Sequence, residues 1–218
     1  MPVRVEKFPI ELSPLLKAQV ALHEAFHVAV QSAHWVGAKA DWPSWDRQPD
    51  RSDMRVCYAA TPVVEETLSE ERESLVRMIE GLLDGRRSDA CQAGHDFLER
   101  RSARYRLVET LPVQGSEGAA TSCTVAEAIM ELEEGTADYA SWTKLFDLGL
   151  ASRDQVLNRY RAVQSDVFYL TGAMQLHAIA AMRSEGMDAA TARIAASETV
   201  RSGAIQTVFE ETLVTWCR

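Results

Sequence analysis

The residues His23-Glu24-Ala25-Phe26-His27 lie in a strongly helical run of a chain that has only five histidines. On a helix, side chains four apart stand one above the other on one face. Both imidazoles can therefore reach one metal ion while Glu24 stays beside it. Neutral imidazoles with an adjacent carboxylate suit zinc hydrolysis: the histidines hold the ion and the carboxylate takes a proton from an activated water. Zinc of this kind takes a third protein ligand and keeps one position open. The stretch Glu131-Leu132-Glu133-Glu134-Gly135-Thr136-Ala137-Asp138-Tyr139 supplies the candidate in Glu134. Asp138, one helical turn on, shares its face and is placed to accept a hydrogen bond from the far nitrogen of a ligand histidine. Glu127 and Glu131 share much of that face, which without the histidine pair would read as a solvated acidic stripe.

The order His23-Glu24-x-x-His27, then Glu133-Glu134-Gly135-x-Ala137-Asp138 on a later helix, resembles the gluzincin zinc metallopeptidases of the peptidase-MA-like group. The resemblance implies Zn2+ bound by His23, His27 and Glu134, Glu24 as general base, and Asp138 behind a histidine. It extends to a third helix, where Phe168-Tyr169-x-x-Gly172 looks like the tyrosine-bearing helix that polarises the substrate carbonyl in some members. Tyr160 and His177 compete with Tyr169 for that role. The implied reaction is hydrolysis of an amide or peptide bond, and the implied fold is a zincin-like helical core.

The chain departs from that pattern in two places. The long interval between His27 and Glu134 calls for a helical insertion, at about residues 61 to 110. Family members also hold extended peptides by backbone pairing to a strand that precedes the histidine helix, whereas here little chain precedes it. The alternative reading is therefore a zinc enzyme that hydrolyses, dehydrates or rearranges a small molecule in a biosynthetic pathway. A di-iron carboxylate bundle would need a second Glu-x-x-His, but His34, His95 and His177 are preceded at that spacing by Gln31, Gln92 and Met174. A binding protein with a vestigial motif would not need the intact Glu24.

The positioning elements follow from caps and periodicity. Ser13 reads as an N-cap with Pro14 in the first turn, which predicts a helix to about residue 35. Leu15, Leu22, Phe26, Ala29 and Ala33 form an apolar stripe. Leu16, Val20, His23, His27, Val30 and His34 run beside it, so the ligands border the buried face. His34 is about 10 Å beyond His27 along the axis, too far for the same ion, and reads as a pocket-edge or core residue. Residues 37 to 53 read as a loop whose Trp42 and Trp45 pack down or cover the metal; with His34 and His177 they are the candidate substrate contacts.

Residues 54 to 60 are expected as a short strand, and Thr61-Pro62 opens a helix to about residue 83. A helix from 90 to about 104 ends in Arg100, Arg101, Arg104 and Arg106, expected as a solvated end or else a clamp for an acidic substrate group. Residues 111 to 122 read as a loop. Capping boxes at Thr124 and Ser152 open helices to about 148 and 184, and two more span 187 to 200 and 204 to 216. The expected architecture is a single, mainly α domain over residues 1–218 with a few short strands.

With 23 basic and 32 acidic residues the formal charge is −9. That balance argues against nucleic acid or an anionic membrane as the main partner. No apolar run approaches a membrane span and no signal-peptide pattern is present, so the expected compartment is the cytoplasm. Cys57, Cys91, Cys123 and Cys217 have no paired spacing and are expected as buried, reduced thiols. The expected partner is a peptide or small-molecule substrate, and composition leaves the oligomeric state open.

Overall fold

A computed structural model describes residues 12–31, 51–114, 120–162, 167–184, 186, 189 and 204–218. Among them are nine α-helices and one two-stranded sheet, the mainly α architecture expected from the sequence. The chain runs α1 (Pro14–Phe26), α2 (Arg51–Tyr58), α3 (Pro62–Leu83), α4 (Arg87–Val108), β1 (Pro112–Gln114), β2 (Ala120–Ser122), α5 (Cys123–Met130), α6 (Thr136–Asp147), α7 (Arg153–Arg161), α8 (Val167–Arg183) and α9 (Ala204–Cys217). Two segments continue their helices with wider π-type turns, His27–Gln31 after α1 and Glu131–Gly135 between α5 and α6.

Local chemistry sets most boundaries. Ser13 Oγ accepts from the amide of Leu16, and Thr61 Oγ1 from that of Val64, with a proline next in each case. The capping box at Ser152 is closed in both directions by Gln155, at 3.2 and 2.7 Å. At the start of α5 the cap is Ser122, whose hydroxyl accepts from Val125; Thr124 instead bonds the Ser122 hydroxyl.

Several expectations are corrected. Residues 54 to 58 are helical, because Met54 and Cys57 recur at helical spacing and are both buried. The segment read as a loop after residue 111 holds an antiparallel pairing, Pro112 to Ser122 and Gln114 to Ala120, with Val113 buried beneath it. The long helix expected from 152 to 184 is two, since Ala162 turns extended after Arg161. The carbonyls of Tyr160 and Ala162 at that break accept from Arg72 Nη2 at 3.2 and 2.8 Å. The cysteines are not free thiols: Cys57 pairs with Cys123 and Cys91 with Cys217. The span expected as a helix at 187 to 200 lies largely outside the described residues.

The long hairpin of α3 and α4 packs on α8, and α9 crosses both α8 and α4. Their shared core includes Leu75, Met78, Phe97, Leu176 and Phe209, with the rings of Phe97 and Phe209 edge to face. A second cluster joins α2, the sheet, α5 and the start of α8, and the Cys57–Cys123 bond lies inside it.

The basic run is also corrected. Arg101 and Arg104 are wholly buried, not solvated. Arg101 donates to Glu71 and Glu131, and Arg104 to Glu71 and Glu127, at 2.5 to 2.9 Å for the closest bonds. The stripe of Glu127 and Glu131 is thereby the acidic half of an interior ion-pair network.

Candidate metal centre

Helix α1 packs along α6, and the face it presents is polar. Gln19, His23 and Gln31 are its buried residues, whereas Leu15, Leu22 and Phe26 are only partly covered and Ala29 is exposed. Leu15 and Leu22 pack against the main core as part of the expected stripe, and the row that carries the histidines is the more deeply buried beside them.

That row is Gln19, His23, His27, Gln31. On a regular helix four residues advance by about 400°, so such a row drifts by roughly 40° per step. A π-type turn takes more residues per revolution and turns the drift back. The turn at His27–Gln31 therefore keeps the last two members facing α6. Gln19 Nε2 donates to Asp138 Oδ1 at 3.3 Å and Ser141 Oγ at 3.0 Å. Gln31 Nε2 donates to the Glu133 carbonyl at 2.6 Å and to Thr136 Oγ1 at 2.8 Å. The two glutamines brace the histidines from either end.

Between them, three ligand atoms converge. His23 Nε2 lies 3.1 Å from His27 Nε2, and Glu134 Oε2 lies 3.0 Å from the first and 3.4 Å from the second. A tetrahedral zinc ion with bonds of about 2.0–2.1 Å sets neighbouring donors roughly 3.3 Å apart. The donor set and its spacing fit that ion, and among the described residues this is the one such cluster of His, Cys, Asp or Glu.

The protonation states fit as well. Gln31 has its amide nitrogen committed to the Glu133 carbonyl, so its oxygen faces His27 Nδ1, 2.6 Å away. An acceptor there places the His27 proton on Nδ1 and turns the Nε2 lone pair toward the centre. Burial works against charge on Glu134, but its pairing with the imidazoles of His23 and His27 outweighs it and holds the carboxyl at about 2. The same pairing lifts His27 above its ordinary value, against the effect of burial, so a proton competes with a cation for this imidazole. Glu134 thus remains an anion, the form that binds a cation.

Close helix packing puts Glu134 and Tyr169 in place. Gly135 faces Gly172 on α8, where a Cβ on the former would come within 2.7 Å of the latter's Cα. A Cβ on Gly172 would come within 2.5 Å of the Glu131 carbonyl oxygen, so this crossing admits no larger residue on either side. Tyr169, three residues before Gly172, consequently lies beside the centre, its ring nearly parallel to that of His23 with centroids 6.2 Å apart.

The remaining candidates separate. Asp138 is buried on the Glu134 side and accepts from Gln19 and, at 3.4 Å, from Arg159. It therefore reaches the histidine helix through Gln19, one turn before His23. Glu24 is exposed next to His23, close enough for its charge to act on His27. His34, Trp42 and Trp45 lie outside the described residues. Tyr160 and His177 contact each other, Oη to Nδ1, at 3.4 Å. Gln19 and Gln31 were not picked out by sequence reasoning; the signal for them is their spacing of four on either side of the histidine pair.

Burial lowers His177 to about 4 from an ordinary 6.5. Its neutral form is favoured in the fold, so the stability it contributes is present above 6.5 and is lost as the pH falls toward 4. Urea unfolding should show a loss on the order of 2 kcal/mol between pH 7 and pH 5. That acid sensitivity should be largely absent from His177→Phe; equal slopes in the two proteins would assign it elsewhere.

Comparison of the chain with protein-family models, with curated proteins and with solved structures finds no match. The reading of this centre therefore stands on its own geometry and on the motif resemblance.

Proposed function

We propose that the chain is a zinc-dependent hydrolase with a gluzincin-like site, acting on an amide or peptide bond. The observation that carries the proposal is the convergence of His23 Nε2, His27 Nε2 and Glu134 Oε2 within 3.4 Å of one another. Zinc bound there supplies a Lewis acid and an activated water. Glu24 takes the proton from the attacking water and delivers it to the leaving nitrogen. Tyr169, beside His23, donates to the oxygen of the carbonyl under attack. Gln31 fixes the tautomer of His27, and Asp138 with Gln19 braces the turn that carries His23.

A short substrate is the second reading. Among the described residues the sheet is a pair of three-residue strands packed on α2 and α5, which presents little edge to an extended peptide. Small acyl amides then take the place of peptides at the same centre.

Among the described residues no helix is long and apolar enough to cross a membrane. The disulfides Cys57–Cys123 and Cys91–Cys217 favour an oxidising compartment over the cytoplasm expected from composition.

Metal analysis of the purified protein tests the proposal. About one zinc per chain is expected, and His23→Ala should lose it, because two remaining donors hold zinc poorly. A zinc-free wild type that takes up none on dialysis, or a His23→Ala variant with unchanged content, would remove the site. Peptide and small-amide substrates assayed side by side then separate the two readings.

A further inference from the structure

A cavity of about 520 Å³ opens between the end of α2, the first half of α3 and the start of α8. Its walls include Tyr58, Leu68 and Val167, its charged groups are Glu65, Glu66 and Arg72, and none of the three metal-ligand candidates lines it. Glu65, Leu68 and Arg72 follow one another at spacings of three and four, so they share one face of α3. Tyr58 is set edge to face against Phe168, with ring centroids 6.0 Å apart, and this packing holds the aromatic wall.

Arg72 is only 8 % exposed, yet among the described residues it forms no ion pair. Its Nη2 is committed to the carbonyls of Tyr160 and Ala162, and its Nε is enclosed without a partner. Nη1 makes no hydrogen bond among the described residues and is not enclosed, so it is the nitrogen that Arg72 offers to the cavity. Burial first, and then the charge of Arg159, lower this arginine from its ordinary value, with Glu73 opposing them. A guanidinium keeps its charge even so, and a buried cation of this kind is stabilised by an anionic group brought to it.

Glu65 and Glu66 are exposed in the same lining and also lack ion-pair partners among the described residues. Opposite charges thus share one cavity without pairing with each other. A plain anion such as phosphate would face two carboxylates, and a plain cation would face Arg72. A molecule that carries both charges satisfies both, and Tyr58, Leu68 and Val167 suit an apolar body attached to it. We infer that the cavity binds a small zwitterion with an apolar side chain, its carboxylate on Arg72 Nη1 and its ammonium at Glu65 and Glu66. A free α-amino acid and a dipeptide share that chemistry. The inference does not depend on hydrolysis at the metal centre.

Titration calorimetry at low salt with leucine and with leucyl-leucine tests this, on chelator-treated protein so that hydrolysis and coordination at the metal centre do not enter the measurement. At least one of the two should bind saturably at one site per chain, and the tighter of them identifies the source. Amidating the carboxylate or acetylating the amine of that probe should weaken it at least about tenfold, because each change removes a charge-assisted hydrogen bond. This ligand series needs no substitution in the fold. Ser69→Phe, at an exposed position of the lining, should abolish binding by filling the cavity, and the double variant Glu65→Gln/Glu66→Gln should weaken the parent probe at least about tenfold. No saturable binding of either probe, an amidated or acetylated probe binding as tightly as its parent, or unchanged affinity in Ser69→Phe would each overturn the inference.

Discussion

Arg101→Met should destabilise the fold by about 3–5 kcal/mol, a shift easily read from the midpoint of urea unfolding. Three carboxylates, Glu71, Glu127 and Glu131, meet two guanidiniums, Arg101 and Arg104, with every side chain at most 3 % exposed. At Glu71 the two arginines outweigh burial and lower the carboxyl, whereas at Glu127 burial prevails over Arg104 and raises it. The acidic side is already in surplus. Removing Arg101 strips Glu131 of a bidentate partner and Glu71 of one of its two, leaving nearly fully buried carboxylates short of positive charge. Gln175 Nε2, at 3.1 Å from Glu131 Oε2, cannot neutralise it.

The effect should reach the metal centre, because Glu131 opens the π-type turn that carries Glu134. Zinc affinity should fall together with stability. The double variant Arg101→Met/Glu131→Met replaces the pair by apolar volume and should recover much of the lost stability. A single variant within about 1 kcal/mol of wild type would show that the network is not held as a charged unit.

This network also marks what the sequence could not reveal. The approach of His23 to His27 is legible because the two lie within one turn of helix, where spacing alone decides geometry. Glu134 and Tyr169 were legible through motifs whose glycines, Gly135 and Gly172, turn out to face each other and bring two distant helices together. Arg101 and Glu131 carry no such local mark. In the sequence Arg101 belongs to a basic run that reads as a solvated helix end or a clamp for an acidic group, and Glu131 shares the face of Glu134; only the fold puts the two in one interior. The disulfides escaped for the same reason, joining positions 66 and 126 residues apart. Hydrophobicity marks only part of the inner face of the first helix: Leu15 and Leu22 pack on the core, but the fully buried groups of α1 and its π-type turn are Gln19, His23 and Gln31, each committed to a polar partner. The π-type turn that aligns them has no compositional signature; its trace is the regular spacing of four that outlasts what an α-helix would keep in register.

Glu24→Gln should leave zinc bound and lower kcat by about 10²–10⁴, with KM little changed. Glu24 is not among the three residues whose ligand atoms converge, and its exposed side chain makes no structural demand that glutamine would fail. The amide keeps the size of the carboxylate and suits a helix nearly as well, so folding and metal content serve as controls. What it loses is the capacity to accept a proton. The expected split, an unaltered zinc stoichiometry with turnover removed, separates a general base from a residue that merely supports His23, whose loss would lower both together. Loss of zinc in step with activity would reassign Glu24 to holding the site, and full activity in Glu24→Gln would require another base on this surface.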